Sequence, residues 1–356
     1  MITNLKFYLN EDKEYKFLES ISKDANVNIA LVAKMAQVSR TTVSRVLNNS
    51  PLVKKETETR VREVINELGY APSELARSLR INETKTIGVI ISNIMGSFYT
   101  AVVRGIEDVA SKRNYSIILC NTDDDPEKEK RYLKELISRK VDGLIVSSAN
   151  VGTDYYNIVG DQKIVFFDRR PNGDVQSKYD IVLVQNREGS RQAVTHLIEK
   201  GYKRIGIING SVDSTTGRER LRGYEIALEE NGMAVEPELI KTGDFLASNT
   251  YEDAMDLLVN QHCDALFATN DLILWGVLKA VRVLNKKIPE ELGIVAFDDM
   301  EWRQFSNPRI TSIKQPTYEI GATAMNLLLE RIAGDMGDSK EVVLPVGLEI
   351  RESTLK

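Results

Sequence analysis

The sequence predicts a mixed-class chain: a small all-α helix-turn-helix head followed by a two-lobed α/β core. Three observations carry this. Residues 27–70 place apolar side chains at helical spacing on either side of a three-residue break. From about residue 85, short apolar runs alternate with amphipathic helical stretches, the pattern of parallel sheets covered on both faces. The 356 residues leave room for more than one domain at roughly 100–200 residues each. The alternating units are too many for one compact sheet, which points to two similar lobes.

In the head, Ile29, Val32, Ala33 and Ala36 recur at i, i+3, i+4 and i+7, giving one apolar face of a short helix that Asn28 is suited to cap. Gln37-Val38-Ser39 interrupts the pattern, and Val43, Val46 and Leu47 resume it. Two short helices joined by such a turn can set the second in a DNA major groove. Its outward side offers Arg40, Thr41, Thr42, Ser44 and Arg45, with Asn48 at its end and no acidic residue among them. Arg can read guanine edges bidentately, while Ser and Thr meet bases or phosphates. The competing reading is an ordinary solvated helical hairpin. A third helix is expected from about Lys55 to Leu68, with Val61, Val64, Ile65 and Leu68 closing a small core and Gly69 ending it.

Charge distribution supports the head. Residues 27–80 hold nine Lys/Arg against five Glu, a net of +4, and residues 1–26 hold four against five acids, a net of −1. Since the whole chain is at −5, the remainder stands at −8. A basic head on an acidic body suits a protein that meets phosphates at one end. Residues 1–26 form an extension in which Tyr15, Leu18 and Ile21 could make a weak amphipathic helix or simply fray. No apolar run approaches the ~18 residues of a membrane span, and the N-terminus lacks a signal-peptide core. Cys120 and Cys263 have no metal-type spacing. A cytoplasmic protein without cofactor or metal is expected.

After the third helix comes Tyr70-Ala71-Pro72-Ser73-Glu74-Leu75-Ala76-Arg77-Ser78-Leu79. Following that helix-turn-helix, this tract closely resembles the lactose-repressor/galactose-repressor family of bacterial transcription factors, and the resemblance covers about residues 27–356. It implies a hinge helix that orders on DNA and pairs with its dimer mate in the minor groove. Leu79 would match the family's wedge leucine, which kinks the operator centre by unstacking a base step. It further implies a homodimer on a pseudo-palindromic operator, with Arg40, Thr41 and Arg45 reading or clamping the major groove, Thr42 and Ser44 nearer phosphate, and Asn48 and Tyr70 among the DNA-facing residues. A plain interdomain linker is the alternative for residues 72–84.

In the core, strands are expected at Thr86–Ile91, Ser116–Leu119, Gly143–Val146, Ile164–Phe167, Ile181–Val184, Arg204–Ile208, Ala265–Ala268 and Gly293–Phe297. Helices are expected at Tyr99–Lys112, Glu127–Arg139, Gly189–Glu199, Arg218–Glu230 and Asp271–Leu284. The resemblance implies a periplasmic-binding-protein-like core. Its N-lobe would comprise about 85–184 and 315–344, and its C-lobe about 185–314 and 345–356. Ligands of such proteins bind at the carboxyl ends of strands, where Asp123-Asp124-Asp125, Asp168-Arg169-Arg170, Asn270-Asp271 and Asp298-Asp299 stand. Aromatic candidates are Phe98, Tyr99, Phe245 and Trp275.

By local motif, Asp168, Arg220, Asn270 and Asp298 match the family's ligand-holding residues and Phe245 its stacking aromatic. Phe98 and Asp123 fall where pocket residues vary with the ligand. Such a set suits a carbohydrate-like effector: carboxylates and an amide meet hydroxyls, Arg orients an oxygen, and an aromatic face covers C–H groups. The simpler readings are helix capping for Asn270 and Asp298, core packing for Phe245 and Trp275, and a solvated edge for Arg169-Arg170.

The sequence also departs from the family pattern. Leu31 replaces an acidic capping residue, Gln37 a turn glycine, Lys54 a hydroxyl residue before helix three, Ser73 the hinge asparagine, and Gln185 an Asp. An enzyme is disfavoured, since no Ser/His/Asp arrangement or Walker loop is present and only His196 and His262 occur. A sugar-binding receptor would not need residues 27–80. A regulator controlled by a protein co-repressor, as some relatives are, stays open.

Overall fold

The computed structural model describes residues 27–70, 83–149, 153–171, 178–245 and 249–355. The chain forms two compact units, Met1–Asn82 and Glu83–Lys356.

In the first unit, α1 is Ile29–Met35, α2 Arg40–Leu47 and α3 Lys55–Leu68. Asn28 accepts from the backbone N–H groups of Ala30 and Leu31 at 3.0 and 3.2 Å, satisfying donors that the first helical turn leaves unpaired. Ser39 does the same for α2, accepting from Thr42 N–H at 3.1 Å. Gln37 takes φ 53° in the turn, a left-handed conformation that costs a non-glycine residue about 1 kcal/mol. Lys54 precedes α3 without a side-chain cap, and Glu56 and Glu58 in the first turn complement the helix dipole instead. Gly69, at φ 60°, ends α3. Val32, Ala33, Ala36, Val43, Val46, Val61 and Val64 make one buried core.

The second unit holds two six-stranded sheets. The first contains β1 Thr86–Ile91, β2 Ser116–Asn121, β3 Gly143–Val146, β4 Ile164–Phe167, β5 Asp180–Val184 and β11 Glu341–Leu344, in the order β11-β5-β4-β3-β1-β2. The second contains β6 Ile205–Asn209, β7 Ile240–Thr242, β8 Ala265–Ala268, β9 Gly293–Phe297, β10 Thr311–Lys314 and β12 Gly347–Glu349. Its order is β12-β10-β9-β8-β6-β7, parallel except for β12. The orders correspond strand for strand, so β4 and β9 occupy equivalent places. The chain changes sheet after Val184, after Lys314 and after Leu344.

The helices are α4 Ser97–Lys112, α5 Pro126–Ser138, α6 Tyr155–Val159, α7 Asn186–Glu199, α8 Thr215–Glu230, α9 Thr250–Met255, α10 Asp271–Leu284 and α11 Thr317–Ile332. Each sheet is covered on both faces, with an apolar cluster on either side. That explains the near-continuous apolar strands Thr86–Ile91 and Gly293–Phe297. Elements not read from sequence are short and sit at sheet edges, as β7, β11 and β12 do, or are brief, as α6 and α9 are. The exceptions are β10, a short strand lying inside its sheet between β12 and β9, and α11, a long helix with Ile320, Ala324, Met325 and Leu328 buried. His196 is buried on α7, with its Nε2 2.8 Å from the Thr354 hydroxyl.

Candidate functional site

The face of α2 is a candidate nucleic-acid contact. Arg40, Thr41 and Arg45 are exposed, whereas Val43 and Val46 anchor the helix inward. The Thr42 hydroxyl lies 2.9 Å from that of Ser39 and is drawn into the cap. Asn48 spends its amide N–H on the Ser44 carbonyl at 2.8 Å, so the helix end claims part of its hydrogen-bonding capacity. Tyr70 is half-buried against the head's core. Leu79 lies outside the described residues.

In the second unit the carboxyl ends of the two sheets face each other across a cleft. Phe98, Asp168, Arg220, Phe245, Asn270 and Asp298 all line it. Asp168 and Asp298 follow the equivalent strands β4 and β9, and both adopt left-handed φ, 65° and 68°. A non-glycine residue held there is strained and marks a place where the fold over-determines a side chain's aim. Asp168 accepts from the Tyr99 hydroxyl at 2.9 Å. Asn270 caps α10 by accepting from Ile273 N–H at 2.7 Å and donates to the Phe245 carbonyl at 3.1 Å. It therefore does the capping work that the simpler reading assigned it while also facing the cleft.

Arg220 is buried, donating Nε–H to Asn186 at 2.8 Å and a second N–H to the Thr269 carbonyl. Its guanidinium lies 3.7 Å from the Phe297 ring centroid. Burial pulls its pKa below the ordinary arginine value, opposed by the charges of Asp298 and Asp168.

One expectation is corrected. Asp123 is exposed and does not line the cleft; it bonds Asn121 at 2.7 Å and Lys128 at 2.7 Å. The strand before it runs two residues further than its apolar run suggests, to Asn121, and both Asp123 and Asp124 turn through left-handed φ. The neighbour, Asp124, reaches the cleft and pairs with Arg169 at 2.5 Å. Arg169 is no solvated edge: only 4% of it is exposed, and its guanidinium lies 5.1 Å from the Phe245 ring centroid. Arg170 does lie at the edge, paired with Glu341. Trp275 is half-exposed and stacks on Trp302 at 4.6 Å, away from the lining.

Residues from both lobes close the site. Ser97, at the start of α4, donates both O–H and N–H to Asp271, at the start of α10, at 2.5 and 3.3 Å. Thr216 donates to the Asp168 carbonyl at 3.1 Å. The free space among these side chains is about 40 Å³. Small-molecule sites span ~300–1,000 Å³, so a ligand must part the lobes to enter. Asp271, Gln315, Asp124 and Arg169 belong to the lining but not to the set picked by motif. Only the shared cleft brings them together.

Burial pushes the Asp298 carboxyl up to about 6 from an ordinary 3.8, although Arg220 opposes the shift. The folded chain thus keeps a proton that the unfolded chain loses. Stability from this group falls as pH rises from about 4 to about 6, and the full cost, roughly 3 kcal/mol, persists above that. Asp298→Asn should therefore melt higher than wild type at pH 7.5, and the advantage should vanish at pH 4. A melting difference independent of pH would refute this account.

Comparisons with known proteins agree with the two-unit architecture. Residues 28–73 match the model for bacterial regulatory proteins of the lacI family, and residues 194–354 match a periplasmic binding protein-like domain. The chain is 37% identical over 305 residues to the HTH-type transcriptional repressor PurR of Haemophilus influenzae (strain PittEE), covering 85% of this chain and 90% of that one. A lac repressor dimer bound to operator and the anti-inducer ONPF superposes with a TM-score of 0.81 at 26% identity, over 93% of this chain and 99% of that one. The transcriptional regulator CelR in complex with cellobiose gives a TM-score of 0.70 at 31% identity, over 92% of this chain and 100% of that one. A helix-turn-helix head, two linked α/β lobes and this degree of identity over nearly the full length of a repressor have one reading: the chain belongs to the lacI family and is a DNA-binding transcriptional repressor rather than an enzyme.

Proposed function

We propose that the cleft binds a small neutral polyol, of the size and chemistry of a monosaccharide, and that this effector controls operator affinity. One observation carries the reading. Ser92 Oγ, Arg169 Nε and Gln315 Oε1 are buried on the cleft wall without a hydrogen-bond partner. Buried polar atoms are rarely left so, and a ligand with several hydroxyls supplies both donors and acceptors. Four carboxylates line the space, Asp124, Asp168, Asp271 and Asp298, against two guanidiniums, Arg169 and Arg220. That balance favours hydroxyl donors over a sugar acid or sugar phosphate. Phe245 and Phe98 supply apolar faces for C–H groups. The cellobiose complex of a structural neighbour is in keeping with this chemistry.

On DNA, Arg40, Thr41 and Arg45 would meet the major groove of a pseudo-palindromic operator, and Leu79 of each protomer of a cytoplasmic homodimer would kink its centre. Effector binding would shift the population between lobe arrangements. An effector that changes operator affinity about 100-fold must favour one arrangement by about 2.7 kcal/mol.

The test is a thermal-shift screen of the full chain against neutral sugars, sugar acids, sugar phosphates and purines. A ligand at about 100 times its dissociation constant adds about 2.7 kcal/mol, readily seen as a raised Tm. Neutral sugars should give the response. Hits confined to purines or to acids would overturn the polyol reading, and silence across the panel would favour a protein co-repressor.

A further inference from the structure

We infer that Asp124 is the charge-selecting residue of the cleft, placed there to cancel Arg169 and so keep anionic ligands out. The inference rests on the reading of the cleft as the effector site and goes beyond it by naming what sets the effector's charge.

Two cations line the cleft, Arg169 and Arg220. Arg220 is bonded to an amide oxygen and a main-chain carbonyl, and Asn186 and Thr269 hold it in the cleft floor. Arg169 differs. Its guanidinium lies over Phe245 with Nε free of any hydrogen bond and buried. A guanidinium in that setting, planar and desolvated, would take a carboxylate or phosphate through paired N–H groups. Asp124 already fills that role. Its two oxygens accept from Nη1 and Nη2 at 2.5 and 3.4 Å, the geometry an anionic ligand would otherwise claim.

The other cleft carboxylates do not compete for this task. Asp168 forms a longer ion pair with Arg169, 3.5 Å from Nε, through the oxygen that accepts from the Tyr99 hydroxyl, and leaves both terminal N–H groups to Asp124. Asp271 is engaged with Ser97. Asp298 accepts from Gln315. Asp124 alone reaches Arg169 end-on, from a left-handed turn at the cleft rim where its side chain is 21% exposed. With Asp124 ionised, an incoming anion finds Arg169 already paired and three further carboxylates facing it. With Asp124 replaced by a neutral side chain, it finds the two terminal N–H groups of a buried guanidinium released, with only the 3.5 Å Asp168 contact at Nε remaining.

The experiment compares wild type with Asp124→Asn and Asp124→Ser as full-length proteins in low-chloride buffer. Far-UV circular dichroism confirms folding. The probes are inorganic phosphate, D-gluconate and D-ribose 5-phosphate, beside D-glucose and D-ribose as neutral counterparts, read by thermal shift and calorimetry. Both variants should gain about tenfold or more in apparent affinity for the anions, equivalent to ~1.4 kcal/mol, while wild type stays unresponsive. Adding Arg169→Met to Asp124→Asn should abolish the gain, a result that a merely structural role for Asp124 would not produce. No anion response in either variant, or an equal response in wild type, overturns the inference. If the variants take up anions while no protein responds to neutral sugars, the charge filter stands and the polyol reading falls. A neutral-sugar response in wild type without any anion gain in the variants has the opposite meaning.

Discussion

Replacing Arg220 with alanine should abolish the effector response while leaving operator binding in the absence of effector within about threefold of wild type. Arg220 is 3% exposed and stands between Asp168 and Asp298. It ties Asn186, at the start of α7, to Thr269, at the end of β8. Truncation removes a ligand-facing donor, deprives two buried carboxylates of their compensating charge and frees the strand end that presents Asn270. Losing one partner of a buried charged contact costs roughly 2–5 kcal/mol, a fall in effector affinity of about thirtyfold or more. Without the guanidinium, Asp298 should rise further above its ordinary range, making it a donor where an acceptor is needed. The head is spared because it folds as its own compact unit around its own core. Operator binding with and without effector checks this directly. A variant that still responds at wild-type effector concentrations would remove Arg220 from the site.

The second large effect concerns stability. A Cβ on Gly105 would stand 2.2 Å from the Tyr318 carbonyl oxygen, and one on Gly321 2.0 Å from that of Val102. Helices α4 and α11 therefore cross with their backbones in near contact, each glycine facing the other helix's main chain. Obstacles made of backbone cannot swing aside as a flexible side chain can. Gly105→Val should cost about 3 kcal/mol or more, at the upper end of overpacking penalties. Urea titration of the full chain would read it as a lowered midpoint. By comparison, Gly232→Ala meets open space but holds φ 67°, so its smaller cost would be backbone strain alone. If Gly105→Val were as mild, the close crossing would be wrong.

The three head helices and eight of the strands were legible because their signals are local. The run Ile29, Val32, Ala33, Ala36 is periodic within itself, and Asn28 and Ser39 cap the helices they directly precede. Strands buried on both faces, such as Ile164–Phe167 and Ala265–Ala268, read as apolar runs whatever surrounds them. The edge strands did not read this way. Glu341–Leu344 and Gly347–Glu349 are half-exposed, and their hydrogen bonds, not their composition, make them strands. Phe98, Asp168, Arg220, Asn270 and Asp298 could be named because each matches the family resemblance near a strand end or helix start that the sequence marks, while Phe245 rested on the resemblance alone, the strand before it being unread.

The amino-acid sequence by itself determined the class of the protein, the helix-turn-helix, the alternation of strand and helix, and, through the family resemblance, six of the residues turned toward the cleft. All of these follow from short-range periodicity and from motifs contained in a few consecutive residues. Only the tertiary structure decided which of three consecutive aspartates enters the cleft, since a strand two residues longer and two left-handed turns change where a side chain aims. It also decided that Arg169 lies buried on Phe245, that Ser97 meets Asp271 across 174 residues of sequence, and that Gln315 faces Asp298. Such pairs arise from closing one lobe on another, and no pattern along the chain records a distance through space.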